Sequence, residues 1–421
     1  MAEPDHGPHR ATAPGLLPVG DYLDRILATI SPLPAFPQPL MEALGLALAE
    51  DVVAAISLPS FDNSAMDGYA VVAEDVAGAT EDDPVVLPVV GEIGAGQSSI
   101  LALSPGSAVK IMTGAPVPAG ATAVVPYEWT DRGVASVRIG QAPTAGQHIR
   151  PLGDDIAEGD MLLEEGTVLG PRHLGMLAAV GRATVRTRPR PRVVVISTGS
   201  ELRDPGTPLG HDSIYDGNSY LLAAAARAAG AIAYRVGIVP DEAHAFTEAL
   251  SDQLVRADIV VTSGGVSEGD FDVVKESLSQ HGTMWFGGVG MQPGKPQGFG
   301  TVGEDATPVF TLPGNPVSSY VSFEMFVLPA IRRMMGKLPY VRPTSRARLT
   351  HGLSSPDGRM QMVRGLYDSD RGGTFVSPVG GHGSHLIGDL ATANCLIEVP
   401  AATTAIAAGE MVAIRKLDEE F

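Results

Sequence analysis

A multidomain α/β-plus-β protein is the fold class that this sequence predicts, and three observations carry the prediction. Over residues 189–336, strand-like runs alternate with helical ones at the spacing of right-handed crossovers, which implies an α/β/α layering with a mostly parallel sheet. On both sides of that region, short β-rich pieces are punctuated by Gly and Pro and show no long helical period. The chain has 421 residues, more than one ordinary core accommodates. The reading is a leader over 1–15, a split helical domain over 16–55 and 151–187, a β domain inserted at 56–150, an α/β domain over 188–340 and a β domain over 341–421.

Each element follows from local pattern. Val19, Tyr22, Leu23, Ile26, Leu27 and Ile30 recur at spacings of three and four, which predicts an amphipathic helix. PLPAFPQP forbids helix and predicts an extended connector. Residues 40–49 read as a second short helical patch. AVKIM and ATAVVPYE read as strands of the β insert. Pro171 stands where a first helical residue is favoured, before HLGMLAAVG. In the α/β region RVVVIST, IAYRVGIV, DIVVTSGG and PVFTLPG are strands. NSYLLAAAARAAG is a helix with a glycine end, followed by the helices DEAHAFTEALSDQLVRA, FDVVKESLSQHG and NPVSSYVSFEMFVLPAIRRMMG. RARLT, MQMVRGLY, GTFVSPV, CLIEVP and EMVAIRKL return to strand-and-turn character, which fits a small β-barrel or sandwich.

Composition excludes several classes. Apolar residues make up 44% and charged residues 18%, so real cores are available and global disorder is not expected. Asp and Glu outnumber Lys and Arg 48 to 29, for a net charge of −19, and no basic run reverses this locally; no nucleic-acid partner is expected. The single cysteine, Cys395, excludes an internal disulfide and a Cys-rich metal site, and reads as a small packing residue. The first residues lack the apolar core of a signal peptide, and no run of about eighteen apolar residues spans a membrane. The expected location is cytoplasmic. His residues show no paired ligand spacing, and no GxSxG elbow, Walker loop or HExxH is present.

Parallel sheets bind ligands beyond the carboxyl ends of their strands, which here carry STGSE, TSGGVSEGD and LPGNP. In LPGNPVSS, Asn315 can cap a helix whose first turn holds Pro316, with Ser318 and Ser319 adjacent, a natural phosphate cradle. A lone Asn-Pro pair is more often an ordinary capped helix. In TSGGVSEGDFDVV, Gly264 and Gly265 admit a ligand to the backbone, Ser263 and Ser267 offer hydroxyls, and Asp270 and Asp272 follow. Two carboxylates beside an anion make sense when a metal stands between them, although helix N-terminal acids explain them equally well. Glu201 in STGSEL lies at the same rim, and Lys295 in QPGKP sits in a braced loop that can hold an oxyanion, or can be a solvent-facing lysine. Asp62, Asn63, Ser64 and Asp67 in FDNSAMDGYA, Thr113 in IMTGAPVP and Asp155 in IRPLGDDI read first as turn residues.

Taken in order, DNSAMDGYAV, IMTGAPVP, TSGGVS, PGKP and LPGNPVS resemble the molybdopterin molybdenumtransferase family, and the resemblance runs from about residue 19 to the C-terminus. It implies four domains: a split helical one, an inserted β domain, a molybdopterin-binding α/β domain and a C-terminal β-barrel. It also implies a homodimer whose active site is shared between subunits. The implied reaction takes adenylylated molybdopterin and molybdate, releases AMP and leaves molybdenum on the dithiolene sulfurs, with Mg²⁺ required. By the same resemblance Glu201 and Asp272 hold the metal, and Asp62, Asp155 and Asp241 are catalytic residues near it. Lys295 binds the oxyanion, with Arg364 of GRMQMVR and Ser384 of GHGSH assisting. Thr113, Ser263, Gly264, Gly265, Ser267, Pro313, Asn315, Ser318 and Ser319 contact the pterin and its phosphate. Ser200, Gln292, Pro151 and Asp154 depart from the family pattern, standing where Asp, Lys, Arg and Glu are usual. A molybdopterin adenylyltransferase is a possible substrate-delivering partner. The adenylyltransferase activity itself and a non-catalytic scaffold are the competing readings; the large β insert argues against the first, and the intact Asp62, Glu201, Asp272 and Lys295 against the second.

Overall fold

Five strands running one way and one running the other form the six-stranded sheet that organises the larger part of the molecule, in the order Ile232–Arg235, Arg192–Ser197, Ile259–Ser263, Thr307–Leu312, Pro296–Val302, Trp285–Gly288, with Pro296–Val302 the reversed strand. The computed structural model describes residues 12–96, 102–264, 273–279, 282–370 and 372–421. Two units emerge: one combines the chain up to Phe36 with Arg186–Phe421, and the other is the contiguous stretch Pro37–Val185.

In the first unit Val193, Val194, Val195 and Ile196 are all fully buried, as are Ile259, Val260 and Val261, because the central strands are covered on both faces. Phe246 and Leu250 of the helix Ala243–Leu254, with Val274 and Leu278 of Val273–Ser279, pack on one face. The helix Asn218–Ala228 ends in a Schellman motif: Ala231 N–H reaches back to Ala226 O and Gly230 N–H to Arg227 O, with Gly230 at φ +94°. The expected closing helix is three segments, Pro316–Ser322, a π turn Phe323–Val327 and Leu328–Met335. Pro329 has no N–H to continue an α ladder, and just before it the Leu328 N–H reaches the Phe323 carbonyl, five residues back.

The helix Val19–Thr29, expected with the split helical domain, belongs to this first unit. Its periodic face supplies the reason. Tyr22 packs edge-on to Phe326 at 4.7 Å and tilted against Trp285 at 5.2 Å, while the Arg333 Nε donates to Ile30 O at 2.7 Å. Burial pushes the Tyr22 hydroxyl far above its ordinary range.

The last strands close on themselves. Met360–Asp370 pairs with Gly373–Pro378, which pairs with Ser345–Leu349, then Met411–Lys416, then Cys395–Val399, and the last returns to Met360–Asp370. This is a barrel, not a sandwich. Its interior is tight at Gly365, where a Cβ would fall 2.9 Å from the Cys395 Sγ. Cys395 is fully buried as expected, and burial pushes its thiol up to about 12.

The second unit is built on five strands in the order Ala123–Pro126, Gly68–Val71, Ala108–Ile111, Val85–Ile93, Ser136–Ile139. Alternation along Gly68–Val71 serves two cores: Tyr69 and Val71 join one cluster, Ala70 the other. Gly68 is required, since a Cβ there would lie 1.9 Å from the Val125 carbonyl oxygen. The helix Pro171–Ala179 forms as expected, and its Leu174 and Leu177 pack with Leu48, Val52, Leu169 and Val185. The second helical patch at 40–49 does not form. Gly45 at φ +75° stops it after one turn, and Leu46 and Leu48 then bond to the backbone of Leu169 and Thr167 instead.

Candidate active site

The register of the α/β sheet decides which residues share its rim. Ser197 pairs with Ser263, and Ser263 with Leu312, so Thr198, Gly264 and Pro313 leave the sheet at one level. Thr198 also bridges Val239, which brings the loop bearing Asp241 to the same edge. On the antiparallel side Gly298 faces Thr311, and this places Lys295, three residues earlier, near the level of Gly314. Glu201, Asp241, Ser263, Gly264, Lys295, Pro313 and Asn315 are therefore gathered at the carboxyl edge. Asp272, Gly265 and Ser267, expected on the same rim, lie outside the described residues.

Close packing at this edge depends on glycine. Gly264 has φ +94°, and a Cβ on it would meet the Thr198 carbonyl at 3.4 Å; one on Gly314 would stand 3.8 Å from the Gly264 Cα. The exposed Glu201 carboxylate folds over Gly199, 2.7 Å from where a Cβ would be. Behind it Leu202–Arg203 pairs in parallel with Ile214–Tyr215, and Ile214 N–H donates to Glu201 O at 3.0 Å.

That small ladder leads into two residues the sequence reading did not single out. Asp216 is 1% exposed and accepts from Ser197 Oγ at 3.1 Å, Ser219 N at 3.0 Å and Ser219 Oγ at 2.5 Å, with Arg235 3.8 Å away. Asn218 donates to Ser263 Oγ at 2.8 Å and to Gly314 O at 2.6 Å, joining two strand ends. Both lie in YDGN, which reads locally as a turn and a helix cap; only the three-dimensional burial of Asp216 distinguishes it from one.

Some expected ligand-facing groups turn inward. Ser319 is fully buried and its hydroxyl donates to Pro313 O at 2.6 Å, bracing the LPGNP turn. Ser318 is buried too. Asn315 occupies the N-cap position without a side-chain cap bond, and the Val317 N–H is taken by the Ser384 carbonyl at 3.0 Å. Gly314 and Asn315 are the exposed part of the turn. Arg364, 4% exposed, donates from Nη1 to Gly383 O at 3.0 Å and from Nη2 to Gly381 O, with Asp389 at 3.7 Å; burial lowers its guanidinium, against the pull of Asp389. Arg364 thus shapes the loop that delivers Ser384. A cavity of about 20 Å³, lined by Gln292, Val317, Gln361, Arg364 and His382 among others, adjoins it. The QPGKP loop is held from beneath by Gln297, whose Nε2 donates to Gly294 O and Ser322 Oγ, both at 2.6 Å.

The remaining candidates belong to the second unit. Asp62 Oδ1 accepts from Leu152 N at 2.7 Å, and Asp155 N donates to Leu58 O at 3.0 Å, so the two carboxylates stand on adjoining, backbone-paired loops, both exposed. Thr113 donates to Asp67 Oδ1 through its backbone N at 2.7 Å and its hydroxyl at 2.8 Å; these bonds hold the Asp67 carboxyl below its ordinary range. Among the described residues no group of three or more His, Cys, Asp or Glu gathers as a metal cluster.

Known proteins match this arrangement segment by segment. Residues 17–181 match the model described as "MoeA N-terminal region (domain I and II)", 194–333 the "Probable molybdopterin binding domain" and 346–417 the "MoeA C-terminal region (domain IV)". A molybdopterin molybdenumtransferase 2 of Mycobacterium tuberculosis is 49% identical over 89% of this chain and 93% of its own. The chain belongs to the molybdopterin molybdenumtransferase family. A molybdopterin molybdenumtransferase of Haemophilus influenzae is 36% identical over 89% of this chain and 92% of its own. Among solved structures, a molybdopterin biosynthesis MoeA protein from Pyrococcus horikoshii superimposes with a TM-score of 0.78 at 30% identity, covering 95% of this chain and all of that one. Within the family frame the α/β rim lies in the segment matched by the molybdopterin-binding model. No helix among the described residues is long and apolar enough to cross a membrane.

Proposed function

We propose that the protein transfers molybdenum from molybdate to adenylylated molybdopterin with release of AMP, as a Mg²⁺-dependent, cytoplasmic homodimer whose active sites are shared between subunits. A molybdopterin adenylyltransferase is the matching source of substrate. The observation that carries this reading is the convergence of Glu201, Asp241, Ser263, Gly264, Lys295 and Gly314 on one sheet edge, in a chain 49% identical to a relative bearing that name. The rim offers hydroxyls, backbone and a cation for anionic oxygens, and carboxylates for a hard cation.

The donor set fits Mg²⁺. This ion favours oxygen ligands and takes one or two protein carboxylates together with substrate phosphates and water. Glu201, exposed over Gly199, presents such a carboxylate, and Asp272 is assigned as its companion. When bound, Mg²⁺ supplies neutralisation of charge developing on the phosphoryl oxygens. Gly264 and Gly314, lacking side chains, let phosphate approach the backbone. Ser263 donates to a phosphate oxygen, and Lys295 holds the molybdate oxyanion by its charge. Arg364 acts through the loop it shapes, setting Ser384. Asp241 orients the pyrophosphate end; the catalytic roles of Asp62 and Asp155 and the pterin contact of Thr113 rest on the family resemblance.

The test is AMP release from adenylylated molybdopterin by the purified protein in Mg²⁺, with molybdate added or withheld. Molybdate-dependent release with active cofactor formed is expected. Tight pterin binding without turnover at any molybdate concentration points to a scaffold and rejects the transferase.

A further inference from the structure

Asn218 presents a constraint that reaches beyond its two bonds. Its amide nitrogen lies 2.8 Å from Ser263 Oγ and 2.6 Å from Gly314 O. A backbone carbonyl only accepts, so the Asn218 NH₂, and not its oxygen, must face Gly314. The same NH₂ then donates its second hydrogen to Ser263 Oγ. An accepting hydroxyl keeps its own hydrogen for a different partner, and among the described residues Ser263 Oγ donates to none. Ser263 is the last residue of its strand, at the rim, beside Gly264; like Ser318 it is largely covered, and only its place at the strand end sets its hydroxyl at the rim.

We propose that Asn218 is a positioning residue that fixes Ser263 as a hydrogen-bond donor to an anionic ligand oxygen at the α/β rim. The assignment deepens the transferase reading, on which the identity of the natural ligand rests; the polarity argument itself needs only an oxyanion of the phosphate class. Asp216 supports the arrangement from below. Its buried carboxylate ties Ser197, at the end of the neighbouring strand, to Ser219 of the helix that begins at Asn218. The amide is thereby held by its own helix start and by both strand ends. A neutral side chain is required: an aspartate of the same shape would set an acceptor against Gly314 O and draw the Ser263 hydrogen inward, away from the ligand.

The experiment is calorimetric titration of the full chain with inorganic pyrophosphate, a probe that does not depend on the transferase reaction. Asn218→Asp and Ser263→Ala are each expected to weaken binding by about 10-fold or more, the effect of losing one hydrogen bond to a charged group. In the charge-neutral cycle of Asn218→Ala with Ser263→Ala, the double variant is expected to bind no more weakly than Ser263→Ala alone, because Asn218 acts only through that donor. A purely structural role would lower the denaturation midpoint without that coupling. If Asn218→Asp does not unfold cooperatively, the Asn218→Ala cycle carries the test alone. Wild-type affinity in the Asn218 variant, losses that multiply in the double variant, or no pyrophosphate binding by the wild-type protein would each overturn the proposal. Pyrophosphate binding with the expected coupling, but no AMP release from adenylylated molybdopterin, would uphold it and reject the transferase reading instead.

Discussion

The two units both bring carboxylates to loop edges, but they secure them by different means. At the α/β rim the fixing groups are side chains: the buried Asp216 with three bonds, the half-buried Asn218 with two, and the buried Ser319 and Gln297 under the turns. In the second unit the loops around Asp62 and Asp155 are zipped by backbone bonds, Gly153 N to Pro59 O and Ile156 N to Leu58 O among them. Backbone bonds tolerate almost any side chain, whereas side-chain bonds do not. Mutation should therefore be felt sharply in one region and mildly in the other.

The largest effect expected is on activity without stability. Glu201→Ala should lower AMP release by at least about 100-fold, the scale of losing a group that acts on transition-state charge. Its melting temperature should stay at the wild-type value, because the side chain is exposed; a normal rate would remove Glu201 from the site. Asp216→Ala should do the reverse in the first instance. It leaves the buried Ser197 hydroxyl and the Ser219 N–H and O–H without their acceptor, at a cost of about 3 kcal/mol, read as a fall in the denaturant midpoint. An unchanged midpoint would show that the rim is not held by this carboxylate.

Asp62→Ala sharpens the contrast. It removes one acceptor, from Leu152 N, in an exposed loop that keeps its backbone bonds, so the cost should be about 1 kcal/mol or less. A loss as large as that for Asp216 would erase the distinction between the units. Smallest is a pH effect. The Asp67 carboxyl is held low by Thr113, so it adds a stability increment that is present above the unfolded carboxyl value of about 3.9 and disappears as pH falls through the lower folded value. Thr113→Val removes the hydroxyl's share of that increment. Its midpoint should lie slightly below wild type at neutral pH and converge with it in acid.

Much of this organisation was readable in the sequence because it is written in strong local signals. Valine-rich runs gave the parallel strands, and STGSE, TSGG and LPGNP gave their ends. The missed parts depend on what lies opposite. Nothing in YDGN announces that Asp216 will be buried beneath a neighbouring strand. Ser319 looks like a ligand-facing hydroxyl until Pro313 O is found 2.6 Å away. The apolar pattern of 40–49 suits a helix, but Gly45 and the pairing with 166–169 override it. The periodic face of Val19–Thr29 was legible, while its partners, Trp285 and Phe326, were not, since periodicity reports that a face is covered and not by what.

That helix also carries a consequence for how the chain is made. Ile30 and Arg333, which it brings together, are 303 residues apart. At a synthesis rate of about 5–20 residues per second, roughly 15–60 s pass between the emergence of one and of the other from the ribosome. For that interval Tyr22, Ile26 and Ile30 have no native surface to cover them. The apolar stripe of this helix therefore stays without its native cover while the whole second unit is translated.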